Sequence, residues 1–470
     1  MKINQDNQVL RAAYDAWSAA SKLRAQRVHN KRFTYGDQWI DYSVDSSGRR
    51  ISDWERYSTA DAAPVTNNVL RQLVKTIVGR FRSQYLDARK ARQLKRQLQQ
   101  VYSANGVDEL DSRALEDFLI SGCAVQRVDA DQLTGQPVVR NVNFNQFFVN
   151  AITDPMARDC EIVGQLHDMC LPDLLQQVAQ GSRERAARVR QLYSQLTSER
   201  VAQFATSIGA DSLSSTNFWT TTAPGKCRAI EVFTLESQEV LRCRSKHSGE
   251  LRVVPIESPE ARQLQADDDW NTEWGISKMW RCRWFSPMGN LLSVADAPQG
   301  HPFVLKFYPL TDGEVHGFIE DVIDQQKFLN RLVTLLDHIM TASAKGVLLY
   351  PESSLPDGVS WDTVRGIWQS SNGILPYSPS SGAPKPEQIS KNNTDVGAYE
   401  MIKLQTCLLE RISGVNGALQ GQSVNTGGSV SLYRAQADNS SIALADIFDT
   451  FNAFRAQRDV KILALAKASA

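Results

Sequence analysis

The sequence predicts a mixed α+β fold, and three observations carry that prediction. Apolar residues recur at helical spacing in several well-separated stretches, as in Val69, Leu73, Ile77 and Phe81. Strict alternation replaces that period at Ala229–Leu235 and again at Lys278–Phe285, where Trp280, Cys282 and Trp284 share one face and Arg281 and Arg283 the other. Hydrophobic residues make up 42% and charged residues 22% of the 470, which is the balance of a packed chain and not of a disordered one. A chain of this length exceeds one ordinary core and points to several packed units.

The elements follow in order. Leu10, Ala13, Tyr14, Trp17 and Leu23 mark a first helix to about residue 30, followed by an aromatic turn, Arg32-Phe33-Thr34-Tyr35-Gly36-Asp37-Gln38-Trp39. After Pro64-Val65-Thr66-Asn67-Asn68 a second amphipathic helix begins. From Arg71 to Arg96 it carries nine basic residues against one acid, Asp87. That run reads either as a solvated helix face or as a patch for phosphate or an acidic neighbour. A third helix follows Asp108, and Val125, Val128, Val138, Val139 and Val142 flank Leu133-Thr134-Gly135-Gln136 as a hairpin. Residues 172–199 return to helix, 205–226 read as loop, and strands run from 229 to about 256.

Residues 256–312 form a small α/β insertion holding Trp270, Trp274, Trp280 and Trp284 within fifteen positions. Tryptophans in such a cluster serve as core more often than as a binding platform. The longest clean helix spans about 316–345. Val322, Leu329 and Leu336 lie seven apart on its greasy side, and Lys327, Arg331, Thr334, His338, Thr341 and Lys345 make a polar, mostly basic stripe. A loop-rich connection from Tyr350 to Asn393 leads to a helix from Thr394 or Asp395 to Ile412, stopped at Gly414. Residues 413–431 hold five glycines and no charge, and a last helix covers about 433–467 with Leu444, Phe448 and Phe451 on one side.

Several function classes drop out. Lys+Arg and Asp+Glu are both 52, so the net charge of +0 does not suit an avid DNA coat or a polybasic membrane binder. No apolar run approaches the roughly 18 residues of a membrane span, and the polar start lacks the apolar stretch of a signal peptide. Seven scattered cysteines without a Cys-x-x-Cys fit neither a disulfide framework nor a zinc ribbon. Phosphate-loop, zinc-protease and nucleophile-elbow motifs are missing, and the six histidines are never closer than 15 residues. Asp267-Asp268-Asp269 and Glu320-Asp321-Asp324 could gather magnesium for nucleic-acid cleavage. The first reads as solvated charge, the second as carboxylates on a helix N-terminal dipole. The expectation is no enzyme, no cofactor and no metal.

Four stretches, in this order, resemble the portal proteins of tailed bacteriophages. They are Arg32–Trp39 with Pro64–Asn68 and the basic helix; Phe147-Phe148-Val149-Asn150 before Asp154-Pro155, then Leu166-His167-Asp168-Met169; Gly317 with Asp321, Asp324, Gln325-Gln326 and Asn330; and Ile412-Ser413-Gly414-Val415-Asn416-Gly417. The resemblance implies a mainly α-helical portal fold with wing, stem, clip and tunnel-loop regions and a small or absent crown. On that pattern 1–255 is wing, 256–315 first stem segment and clip, and 316–345 the second stem helix. The wing returns over 346–393, 394–431 is tunnel helix and loop, and 432–470 is a C-terminal helix or minimal crown. The implied function is a ring, usually of twelve subunits, through which double-stranded DNA is packaged, retained and ejected without sequence specificity. Implied partners are the terminase large subunit, the major capsid protein and tail adaptor proteins, with no membrane. The ring would assemble in the bacterial host cytoplasm and reside at the capsid vertex of the virion. Lys327, Arg331, His338, Lys345, Gln420, Gln422, Ser423 and Asn425 would line the channel, and Trp270, Trp274, Trp280, Arg281 and Arg283 would dock partners at the clip. A like charge on every subunit becomes a ring of charge, while a neutral, glycine-rich loop offers DNA weak contacts without gripping it. The basic stripe reads equally as intersubunit salt bridging.

Overall fold

The strand Cys227–Ser245 organises most of the chain. Along sixteen positions, from Ile230 opposite Phe285 to Ser245 opposite Trp270, it pairs antiparallel with Trp270–Phe285. A computed structural model describes residues 5–58, 63–91, 96–131, 134–179, 181–210, 216–221, 223–345, 347–369, 374–378, 385–389, 397–415 and 442–468. The chain divides into two compact units: Met1–Thr34, Gln72–Asp321 and Val415–Ala470 form the first, Tyr35–Arg71 and Val322–Gly414 the second.

In the first unit the sheet order is Leu291–Ala297, Trp270–Phe285, Cys227–Ser245, Ile162–Met169 and Phe147–Val149, with Leu251–Pro255 on the distal part of Cys227–Ser245. Both faces of its base are buried, and the period of two sorts them. Ile230, Val232, Leu166, Phe148 and Phe285 face Leu10, Ala13, Tyr14 and Trp17 of the helix Gln5–Ala19. Ala229, Phe233, Val163, Phe147 and Trp284 face a three-stranded sheet of Phe303–Phe307, Cys123–Ala130 and Pro137–Asn141, through Val125, Phe303 and Leu305. The helix Ala445–Ala468 closes the unit, and its Phe451 packs on Phe81 and Phe118.

Two charged clusters are sealed inside this unit. Between the sheets Glu231 is 1% exposed and accepts from Arg127 (2.9 Å to Oε1) and His167 (2.8 Å). Burial alone would raise its carboxyl, but the Arg127 guanidinium and His167 hold it down at about 2. Under the last helix, Asp111 accepts from Arg455 at 2.8 Å and from the wholly buried Arg458, which also donates to Tyr102 Oη at 2.6 Å. Lys461 of the same helix donates to the carbonyls of His301 (2.5 Å) and Phe303 (2.6 Å), and burial pulls its ammonium down to about 8.

The second unit holds the helices Glu320–Lys345 (from Val322) and Ala398–Ser413, the latter stopped by Gly414 in the left-handed region (φ 66°). Between them Val347–Leu349 pairs antiparallel with Glu387–Ile389, and the helix Trp361–Gln369 lies in the connection. An N-terminal piece adds the hairpin Tyr42–Val44 with Arg50–Ser52 and a short helix Asp53–Tyr57.

Several sequence expectations need correction. The first helix is two, Gln5–Ala19 and Ser21–Thr34, and residues 172–199 also divide, into Leu171–Ala179 and Arg183–Ser194 with the start of Ser198–Ser207. The stretch 205–226 is not all loop: Ser198–Ser207 runs into it, and Phe218 and Trp219 of Thr216–Trp219 are buried in the core, their apolar rings outweighing the Ser/Thr-rich surroundings. The connection after Tyr350 contains a helix and a paired strand. Residues 256–315 are no separate insertion, because Trp270–Phe285 extends the main sheet and Phe303–Phe307 the three-stranded one. The basic run 71–96 is helical through Ala91 and again from Arg96.

Candidate functional site

Three polar side chains spaced four apart on the helix Glu320–Lys345 build the site by fastening a chain segment. Gln326 is fully buried; its Oε1 accepts from the backbone N–H groups of Val69 (3.1 Å) and Leu70 (3.3 Å), free donors at a helix start. Its Nε2 donates to the Asn67 carbonyl (2.5 Å) and to Asn330 Oδ1 (2.9 Å). Asn330 in turn accepts from Asn67 N–H (3.0 Å) and donates to Gln38 Oε1 (2.6 Å), and Thr334 Oγ1 accepts from Val65 N–H (3.0 Å). Asn68 caps the helix Val69–Ala91 by accepting from Arg71 N–H (3.1 Å), and Trp39 Nε1 donates to Thr66 Oγ1 (2.9 Å). The motifs Gly36–Trp39, Pro64–Asn68 and Gln326/Asn330, three hundred positions apart at the extremes, are one hydrogen-bonded lock.

One turn over, the same helix carries Lys327 and Arg331 into a groove of about 610 Å³ lined by Asp41, Tyr42, Ser43, Val44, Arg50 and Asp53. Lys327 Nζ lies 2.6 Å from Asp41 and Arg331 3.2 Å from Asp53, whose carboxylate is buried. Arg331 also sits 5.5 Å from the Tyr57 ring centroid, and Arg50 4.3 Å from that of Tyr42. The two stripe cations are thus paired within their own chain. Both keep part of their surface, 22% for Lys327 and 38% for Arg331. With Arg50 the groove holds three cations against Asp41 and Asp53, and Asp324, 3.8 Å from Lys327 Nζ, brings the local balance to zero. Such a surface offers part-exposed cations without a net charge that would bind phosphate tightly.

Neither carboxylate stood out in the sequence, although one signal was there. Ser52 and Glu55 form a reciprocal capping box, Ser-x-x-Glu, at the start of Asp53–Tyr57, and that box places Asp53 under Arg331. Thr334 of the same stripe is buried in the lock. Of the other expected channel residues, His338 has its Nε2 shielded from solvent with no hydrogen-bond partner among the described residues. Lys345 ends the helix, with its side chain outside the described residues, as are Gln420, Gln422, Ser423 and Asn425.

The expected docking cluster is not one surface. Arg283 is 4% exposed, 2.5 Å from Glu236 and donating to Thr234 at 2.9 Å, so it is an interior cation. Arg281 bridges Glu236 (3.0 Å) and Asp296 (2.9 Å). Trp280 packs edge-on against His301 at 4.7 Å, and Trp270 packs on the small core of Leu241, Cys243 and Val254 beneath Arg252. Only Trp274 of the five stands open, 56% exposed.

Glu320, one of the acids first weighed as a metal ligand, is a hydrogen-bond hub in the first unit. It accepts from Gln26, from Asn30 Nδ2 (2.8 Å) and from Gly317 N–H (3.0 Å), with His316 Nδ1 at 2.9 Å. Gly317 is required there, since a Cβ would lie 2.4 Å from the Ile120 carbonyl oxygen. Among the described residues no group of three or more His, Cys, Asp or Glu side chains is placed to hold a metal ion.

The family model of the phage P22-like portal protein matches residues 10–468. The chain belongs to that portal family. The match covers all the stretches that suggested the resemblance, including the polar lock and the groove beside it. No curated protein matches the chain. Among the described residues of this portal-family chain no helix is long and apolar enough to cross a membrane.

Proposed function

We propose that the protein forms a ring at the capsid vertex of a phage and conducts double-stranded DNA during packaging, retention and ejection. The ring docks the terminase large subunit during filling and tail adaptors afterwards, and seats in the major capsid protein shell. Twelve subunits is the expected number. The observation that carries this reading is the family match over nearly the whole chain. The groove supports it: paired, part-exposed cations repeated around a ring give a charge-balanced wall that does not hold each phosphate.

The arrangement of the second unit supports a revised assignment of regions. A helix, a strand–helix–strand module and a second helix follow one another over 320–413, which matches a stem–clip–stem order better than 256–315 does. We therefore assign the clip to 347–389 and the two stem helices to Glu320–Lys345 and Ala398–Ser413, with the first unit as wing. The neutral stretch 414–431 stays the candidate constriction.

The test uses the phage that encodes the chain. Procapsids made with and without the protein are supplied with motor, ATP and double-stranded DNA, and nuclease-protected DNA is measured. Protection only with the protein present supports a conduit. Equal protection without it refutes the reading.

A further inference from the structure

The strand Trp270–Phe285 is sixteen residues long, but only Trp280–Phe285 is covered on its outer side, by Leu291–Ala297. From Trp270 to Met279, ten residues pair with Cys227–Ser245 on one side and with no described strand on the other. An open edge of ten residues offers an unpaired N–H and C=O at every second position, and folded proteins keep such edges short or guarded by charge. Here the ten positions carry two charges, Glu273 and Lys278, the latter at the inner end.

Beside its polar residues this edge leaves two large apolar side chains open to solvent. Trp274 and Ile276, two apart and so on one face, are each 56% exposed. The layer has a second open edge. Leu251–Pro255 pairs with Cys227–Ser245 on its inner side only, and there Leu251 is 63% and Val253 49% exposed. Leu241 lies opposite both Trp274 and Val254, so Trp274 is on Leu241's face, while Leu251 and Val253 are on the other with Arg242 and Arg244. The two edges are different surfaces with their apolar residues on opposite faces. A contact between unlike edges repeats head to tail and gives a ring where the rotation closes, whereas a contact between like edges stops at a dimer.

We propose that the edge Trp270–Met279 is an interface strand that a second copy of this chain extends, through the neighbour's open edge at Leu251–Pro255. Each subunit then gives one edge and receives one, and backbone hydrogen bonds supply most of the contact. The proposal rests on the ring reading above and adds the surface that joins the subunits.

Hydrogen exchange of the wild-type protein, as monomer and as purified ring, tests it. The expected result is that alternate amides between Asn271 and Ser277 exchange about a hundred-fold more slowly in the ring. A ring whose edge amides exchange as fast as in the monomer overturns the interface and leaves the ring reading standing. A protein that stays monomeric at high concentration and with its scaffold overturns both. The double variant Trp274→Lys/Ile276→Lys gives a second reading, because both positions are exposed and the monomer keeps its melting temperature. Ring yield should fall about ten-fold, and an unchanged yield overturns the proposal.

Discussion

Two helices of this protein carry basic residues three or four positions apart, and the molecule treats them in opposite ways. On Ala445–Ala468, Arg455, Arg458 and Lys461 are driven into the interior, where Asp111 and two backbone carbonyls receive them. On Glu320–Lys345, Lys327 and Arg331 meet Asp41 and Asp53 at the wall of an open groove. The spacing is similar, three residues in one case and four in the other, and Asp53 is as buried as Asp111, each 4% exposed. What differs is that Arg331 and both members of the Lys327–Asp41 pair keep part of their surface. A sealed pair holds a helix in place and is invisible to a ligand, whereas a half-exposed pair can loosen to meet a passing anion.

The largest effect should come from breaking the sealed set. Asp111→Ala removes the buried carboxylate that two buried guanidiniums share, leaving Arg458 with Asp459 at 3.1 Å, and should lower unfolding stability by about 3 kcal/mol, read by urea melts. A loss under about 1 kcal/mol would mean the cluster is wetter than its burial indicates.

Lys461 sharpens the contrast through pH. Its folded value of about 8 lies below the ordinary 10.5, so the charged form is the penalised one. Between those values the unfolded chain binds the extra proton, and stability should rise with pH by up to about 3 kcal/mol relative to Lys461→Met. Matched melts of the two proteins from about pH 7 to the ordinary lysine value of roughly 10.4 measure it; parallel curves would show that the ammonium is solvated.

In the groove, Lys327→Gln should cost no more than about 1 kcal/mol, because Lys327 and Asp41 are both part-exposed, whereas Arg331→Gln takes the guanidinium from the buried Asp53 and should cost about 1–3 kcal/mol. The effect belongs in DNA handling: packaged particles should lose DNA at a changed rate while rings still assemble. Charge reversal by Lys327→Glu or Arg331→Glu is the poorer probe, since it would set a new carboxylate against Asp41 or Asp53 and strain the second unit itself. The smallest difference is in salt. Raising salt from about 0.05 to about 0.5 M should erase most of the Lys327–Asp41 contribution and leave the sealed cluster's intact. Double-mutant cycles at each salt concentration separate the two.

Much of the fold could be read because its signals are periodic. Alternation at 229–235 and 278–285 found the sheet base, heptad spacing found Glu320–Lys345, and Gly414 marked a helix end that the structure places there. Long-range pairing could not be read. Nothing local says that Asp41 and Asp53 meet Lys327 and Arg331, or that Gln326 and Asn330 close on Asn67. Those contacts join segments more than 250 positions apart. Arg283 misled for the same reason: its alternation was right, but Glu236 on the next strand and Asp6 on the first helix turn it into an interior group. The family pattern supplied the partners' positions in sequence, and the structure supplied the reason they are kept together.

Electron microscopy of the purified, concentrated protein tests the central claim most directly. The account predicts rings with a central hole wide enough for double-stranded DNA, about 20 Å or more across the helix, and a rotational order near twelve. Closed particles without a hole, or open filaments at every concentration and with the scaffold present, would contradict it.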